Sequence, residues 1–310
     1  MLDPSVHSPS QHAILLRQSQ STTLGARDAL FTTDQLLRHG CHAPARRVID
    51  SVRARGVRNE TLNRRLDKLA RLADRVAVIP GLDVMLADVP SVETLLSFRS
   101  TMLKARGDGG RLVVVYGTAW NNFDISFPFL HCLIARHADC FVYVKNQKGG
   151  MYATGNDELG SCIDEMSANL CHIIARLNPS RVAVMGFSGG GYAALHLAAV
   201  AGADAFLGLG IRTDFSRDSP LAKVPGRTAP CESDHQRNSL VNLRELPATA
   251  TIGRLVLYYG SQDESDHEHA LNMAGLPNVT IGRIERGSHQ LVMDLLASGL
   301  LPGVLANALS

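Results

Sequence analysis

The stretch RVAVMGFSGGGYAALHLA, Arg181 to Ala198, joins a β-rich run to an Ala/Leu-rich helical pattern through three consecutive glycines, with a single serine at the junction. Gly186-Phe187-Ser188-Gly189-Gly190 fits G-x-S-x-G, and it stands after a strand pattern and before a helical one, the context that motif requires. A serine exposed on such a turn is forced into an unfavourable backbone conformation. The residues two before and two after it must lack side chains so that strand and helix can approach. Gly186 and Gly190 meet that demand, while Gly189 and Gly191 add freedom beyond it. The Gly189 N–H, at the helix start, is the first candidate donor to a developing oxyanion. The competing reading is a glycine-rich turn that only packs, or that cradles a phosphate. Walker-type cradles end in Gly-Lys-Ser/Thr, which is absent, and Gly186, Gly189 and Gly191 do not give G-x-G-x-x-G.

A serine hydroxyl is a poor nucleophile at neutral pH unless a base takes its proton, so a histidine and an acid to orient it should follow. The run 254–260 (RLVLYYG) leads into Ser261-Gln262-Asp263, and the run 279–285 (VTIGRIE) leads through Arg286-Gly287-Ser288 to His289, just ahead of a helical pattern at 290–297. Serine, acid, histidine is the chain order known for G-x-S-x-G sites. The acid has three candidates. Asp263 is favoured because a loop acid close to a strand end is held most rigidly. Asp266 also suits a helix N-cap before HEHAL, and Asp214 follows the run 204–210.

The second oxyanion donor is expected where the run 111–117 (RLVVVYG) enters Thr118-Ala119-Trp120-Asn121-Asn122. A backbone N–H of Thr118 or Ala119 would supply it, with the Asn121 and Asn122 side chains lining the pocket. The alternative is an ordinary loop whose asparagine caps a helix. His196, two turns beyond Ser188, reads as a packing or surface residue. His267 and His269 flank Glu268 on different helix faces and do not resemble a metal-ligand set.

Further outward, short Val/Ile/Leu runs at 84–89, 111–117, 140–145, 181–186, 204–210, 254–260 and 279–285 alternate with helical patterns at 161–177, 190–200, 266–273 and 290–297. Ser161 with Asp164 three residues on is a start signal for the first of these helices. Near-continuous apolar runs suit strands covered on both faces, and the alternation predicts an α/β fold with a parallel sheet. Residues 1–40, rich in Ser, Gln, Thr and His, are expected to form a loosely ordered arm. Residues 41–76 carry the periodicity of a helical hairpin broken near Gly56 to Glu60, and 77–310 form the α/β domain. The polar segment 211–251, with Pro220, Pro225, Pro230 and Pro247, is expected to fold over the strand ends as a lid or cap.

Composition narrows the function classes. Thirty-one Lys and Arg against twenty-nine Asp and Glu leave a formal charge of +2, too balanced to imply a nucleic-acid or anionic-membrane partner. The six cysteines contain no CxxC pair, and read as reduced thiols of a cytoplasmic protein with no metal and no cofactor. The N-terminus lacks a signal-peptide pattern and no apolar run reaches membrane-spanning length.

The sequence resembles the α/β-hydrolase superfamily through VAVMGFSGGGYAALHLA for the elbow, VVVYGTAWNN for the oxyanion loop, LVLYYGSQDESD for the acid and RGSHQLVMDLL for the histidine. The resemblance covers roughly residues 76–310. It implies a three-layer sandwich about a mostly parallel sheet, and a serine esterase or thioesterase acting on a small acyl group, a sugar ester among the substrates to consider. The catalytic residues would be Ser188, His289 and Asp263, or Asp266 as the alternative acid. A weaker resemblance is to bacterial hydrolase-like proteins associated with surface-polysaccharide assembly. It rests on the preceding helical hairpin, a loop containing Tyr152, SGGGYAAL and the step from Asp266 to His269-Ala270. Transfer of the acyl group to an alcohol or amine would use the same residues. A non-catalytic module, the competing class, predicts a Ser188 facing the core or a distant His289.

Overall fold

The apolar runs do assemble edge to edge: in a computed structural model of the chain, seven strands form one sheet in the order β1-β3-β2-β4-β5-β6-β7. The structure describes residues 11–21, 24–57, 59–88, 101–104, 109–118, 122–146, 150–216, 219 and 233–309. The strands are β1 (Thr101–Lys104), β2 (Arg111–Tyr116), β3 (Cys140–Val144), β4 (Arg181–Phe187), β5 (Ala205–Leu209), β6 (Arg254–Gly260) and β7 (Val279–Ile284). Six are mutually parallel, and β1 pairs antiparallel with β3 at the edge. Register places Val144, Tyr116 and Gly186 side by side, so the chain leaves β3, β2 and β4 at the same carboxyl edge.

Side-chain alternation along the strands fills two layers. Val142 and Val144 of β3, with Leu112, Val114 and Tyr116 of β2, join a core that includes Leu170 of the helix Ile163–Leu177 and Tyr192 and Leu195 of the helix Gly189–Val200. On the other face, Phe141 and Tyr143 pack ring to ring with His131 and Phe127 of the helix Phe127–Ile134. This is the α/β-hydrolase architecture, with helices on both faces of a mostly parallel sheet.

Two expectations change. The run 84–89, read as a strand, belongs to the helix Leu82–Asp88: Leu82, Met85 and Leu86 stand at i, i+3 and i+4 and are buried or half-buried, while Val84 is exposed. Within residues 1–40, expected to be a loose arm with one short helix near Ala13 to Arg17, that helix runs over Gln11–Ser19, and Ala26–Arg38 is helical as well; 1–10, 22 and 23 lie outside the described residues. The unexpected helix, Ala26–Arg38, buries Ala29, Leu30, Thr32, Thr33, Leu36 and Leu37, so two threonines complete its inward stripe. The helices His42–Ala54 and Glu60–Ala77 follow, the latter capped by Asn59, whose side chain accepts from Leu62 N. By its internal contacts the chain divides into residues 1–89 with Leu296–Gly299, and Pro90–Leu295 with 300–310. Among the described residues no single helix is long and apolar enough to cross a membrane.

Of the segment 211–251, residues 217, 218 and 220–232 lie outside the described residues. Its described flanks are pinned to the core: Asp214 bridges Asn242, and the Tyr192 hydroxyl donates to Val241 O at 2.8 Å.

Candidate active site

Ser188 terminates β4 with φ 51° and ψ −126°, a conformation that costs a non-glycine residue of the order of 1–3 kcal/mol and persists only where the surroundings enforce it. The surroundings are tight. A Cβ on Gly190 would fall 2.3 Å from Gly117 O, and one on Gly191 2.1 Å from Ile211 Cγ2. Gly191 is therefore a steric requirement of the turn, not the spare flexibility the sequence assigns it. The helix Gly189–Val200 starts immediately after the serine, and the Gly189 N–H, as a first-turn donor, has no acceptor within the helix.

The last loop brings His289 to this serine. Ser288 N and Oγ both bond Asp294 Oδ2, at 2.7 and 2.9 Å, fastening the loop to the helix Leu291–Ser298. His289 Nε2 lies 2.7 Å from Ser188 Oγ across 101 residues of sequence, and Nδ1 lies 2.7 Å from Asp266 Oδ2. The buried carboxylate can only accept when ionised, so the imidazole proton sits on Nδ1 and Nε2 is left to accept from the serine hydroxyl. That hydrogen bond raises the His289 pKa, against desolvation; the charges of Asp266 and Asp263 raise it further and Arg212 opposes them.

The acid at the histidine is thus Asp266, and the favoured Asp263 is corrected. Asp263 caps the helix Glu264–Asn272, its Oδ1 accepting from Asp266 N at 2.9 Å. Its carboxylate is engaged by the helix end, and the next acid, in the first turn, is the one that reaches the imidazole. Asp214 is buried but accepts from Ser216 N and Oγ at 2.8 and 2.7 Å, in a local turn. Sequence reasoning missed Gly210, which sits at φ 55° just past β5. A Cβ there would meet Asp266 Oδ2 at 2.7 Å and His289 Nδ1 at 3.5 Å.

Thr118 is a second correction. Its backbone N–H donates to Asn122 O at 2.8 Å and its hydroxyl to Asn122 Oδ1 at 2.8 Å, so that N–H is already engaged. Ala119, with Trp120 and Asn121, lies outside the described residues. The loop after β3 also reaches the elbow: Met151 Cγ lies 2.8 Å from where a Gly189 Cβ would be. Met151 and Tyr152 both have positive φ, 54° and 68°, and the Tyr152 hydroxyl lies 2.9 Å from both Gly117 O and Val144 O. Asn146, two residues beyond β3, is 3% exposed, and neither of its amide atoms has a hydrogen-bond partner among the described residues.

A second serine–histidine–acid set lies between two helices: Ser167 Oγ is 2.9 Å from His196 Nδ1, and His196 Nε2 is 3.1 Å from Asp164 Oδ1. Here the serine is 2% exposed and the acid faces solvent, so the hydroxyl has no access to substrate. His269 is buried, accepting from Thr213 N at 3.2 Å, and His267 stacks on Tyr259. Among the described residues, the His, Cys, Asp and Glu side chains close enough to share a metal ion are Asp263, Asp266 and His289. Both nitrogens of that histidine are already hydrogen-bonded.

No protein-family model and no curated protein matches the chain. Among solved structures it is similar to carboxyl esterase 2 of the mycorrhizal fungus Tuber melanosporum, with 11% identity, 67% of this chain and 78% of that one covered, and a TM-score of 0.46. It is similar to a carboxylesterase of the ammonia-oxidizing thaumarchaeon Nitrososphaera gargenis, with 14% identity, 67% and 95% covered and a TM-score of 0.42. MenH from S. aureus is a third, with 15% identity, 68% and 99% covered and a TM-score of 0.40. At these identities and TM-scores the likenesses carry no argument about activity, which rests on the side chains described above.

Proposed function

We propose that the chain is a serine hydrolase that cleaves a carboxylic ester or thioester of a small acyl group through an acyl-enzyme. The observation that carries this reading is the continuous hydrogen-bonded line from Ser188 Oγ through His289 to Asp266, 2.7 Å at each step. Ser188 Oγ attacks the carbonyl carbon as His289 Nε2 takes its proton, and the imidazolium so formed is stabilised by Asp266. Collapse of the tetrahedral adduct expels the alcohol or thiol with that proton. Water, deprotonated by the same nitrogen, then releases the acid and restores the serine. The Gly189 N–H is the oxyanion donor in this reading. Ser188 is only half-buried, so an ester can reach it, and its contact with His289 speaks against the non-catalytic module.

The test is labelling with a fluorophosphonate, which reports an activated serine without knowledge of the substrate. Label on the wild type and none on Ser188→Ala is the expected result; equal label on both would overturn the reading. Hydrolysis of p-nitrophenyl acetate is expected to follow the same pattern, with Ser188→Ala lowering kcat by about 10⁵–10⁶-fold.

A further inference from the structure

Asp266 poses an electrostatic problem that the serine and histidine do not solve. Its side chain is fully buried, one oxygen is bound to His289, and the other, Oδ1, has no hydrogen-bond partner among the described residues. A buried charge is costly unless an opposite charge or a hydrogen bond offsets it. The cation closest to that oxygen is Arg212, whose Nη1 lies 3.9 Å from Oδ1. Arg212 follows Gly210 on the segment leaving β5, its side chain is 11% exposed, and Nη1 also donates to Ser265 Oγ beside Asp266.

We infer that Arg212 is a positioning residue of the Ser188 site: its guanidinium supplies the counter-charge that holds buried Asp266 at the imidazole, and so sets the pH at which His289 can act as a base. The inference rests on the triad reading above. The charged groups acting on His289 are Asp266 and Asp263, which favour the imidazolium, and Arg212, which disfavours it. Removing the Arg212 charge acts in one direction. It lets the imidazole hold its proton to higher pH, which moves the onset of activity upward.

The experiment measures the rate of fluorophosphonate labelling from pH 4.5 to 9 for wild type, Arg212→Met and Arg212→Lys. The midpoint of the acid limb is expected to rise by about one pH unit in Arg212→Met, a roughly tenfold loss of rate below it, and to stay near wild type in Arg212→Lys, which keeps the charge. If Arg212→Met does not fold, Arg212→Gln is read in the same way. A merely structural role would lower the rate at every pH and leave the midpoint in place, and that result overturns the inference while leaving the triad reading intact. A wild type that takes no label removes the triad and the inference together.

Discussion

Asp263 and Asp266 stand three residues apart and divide two duties that either could have held: one caps a helix and the other bonds the His289 imidazole. The residue types are equal; what separates them is that the helix begins at Glu264, so the first acid meets free backbone N–H groups and the second meets the imidazole. Asparagine caps a helix about as well as aspartate but cannot hold the productive tautomer. Asp266→Asn is therefore expected to lower kcat on p-nitrophenyl acetate by about 10³–10⁴-fold, whereas Asp263→Asn should leave it within a few-fold. Asp263→Ala should cost about 1 kcal/mol of stability through the lost cap, measurable by urea denaturation. Asn146 invites the opposite experiment. A buried amide with no partner is a standing cost, so Asn146→Leu is expected to raise stability by about 1 kcal/mol, read as a higher denaturation midpoint.

At the scale of elements, continuous apolar runs were legible because strands inside a two-sided sheet leave little room for polar residues, and β2 through β7 fall where those runs are. The run 84–89 looks the same over a few residues, but its inward positions recur at helical spacing. The helix Ala26–Arg38 hides its inward face behind threonines, and β1 carries no apolar run to announce it. The elbow was legible because local sterics demand glycine on either side of Ser188. The need for Gly210 arises only when the segment after β5 meets Asp266, 56 residues further along the chain, so no local pattern could disclose it. Gly210→Ala would strain a positive φ and drive a methyl group into the Asp266 carboxylate. Because displacing a catalytic group by about 1 Å costs about 10²-fold, a loss of at least that size in kcat is expected, with a folded far-UV circular dichroism spectrum.

The whole molecule should feel the site through its pH dependence. The His289 pKa is raised above its ordinary value in the folded chain, chiefly by the hydrogen bond to Asp266. A group with a raised folded pKa contributes stability that is fully present below its unfolded pKa, about 6.5, and is lost as pH rises through the folded pKa. Denaturation of wild type and His289→Gln between pH 5 and 9 should therefore show the wild type ahead by most at the acid end, the gap narrowing as pH increases. A gap of constant size would mean that the pairing with Asp266 does not distinguish the two protonation states. The long-range order of the site was legible at this scale too: serine, acid and histidine follow β4, β6 and β7 in that order along the chain. Which of the neighbouring acids completes the line required the third dimension.

The set Ser167, His196 and Asp164 has the same three side chains at similar separations, yet its order of exposure is inverted. In the elbow, water can reach the serine while the acid is shut away; between the helices, water reaches the acid and the serine is sealed. A proton relay is thus polarised by which end it opens to solvent. A search for such sites by residue identity and distance alone would return both sets from this one chain. The polarity of access, together with the strained turn at Ser188, is what tells a reactive line of hydrogen bonds from a structural one.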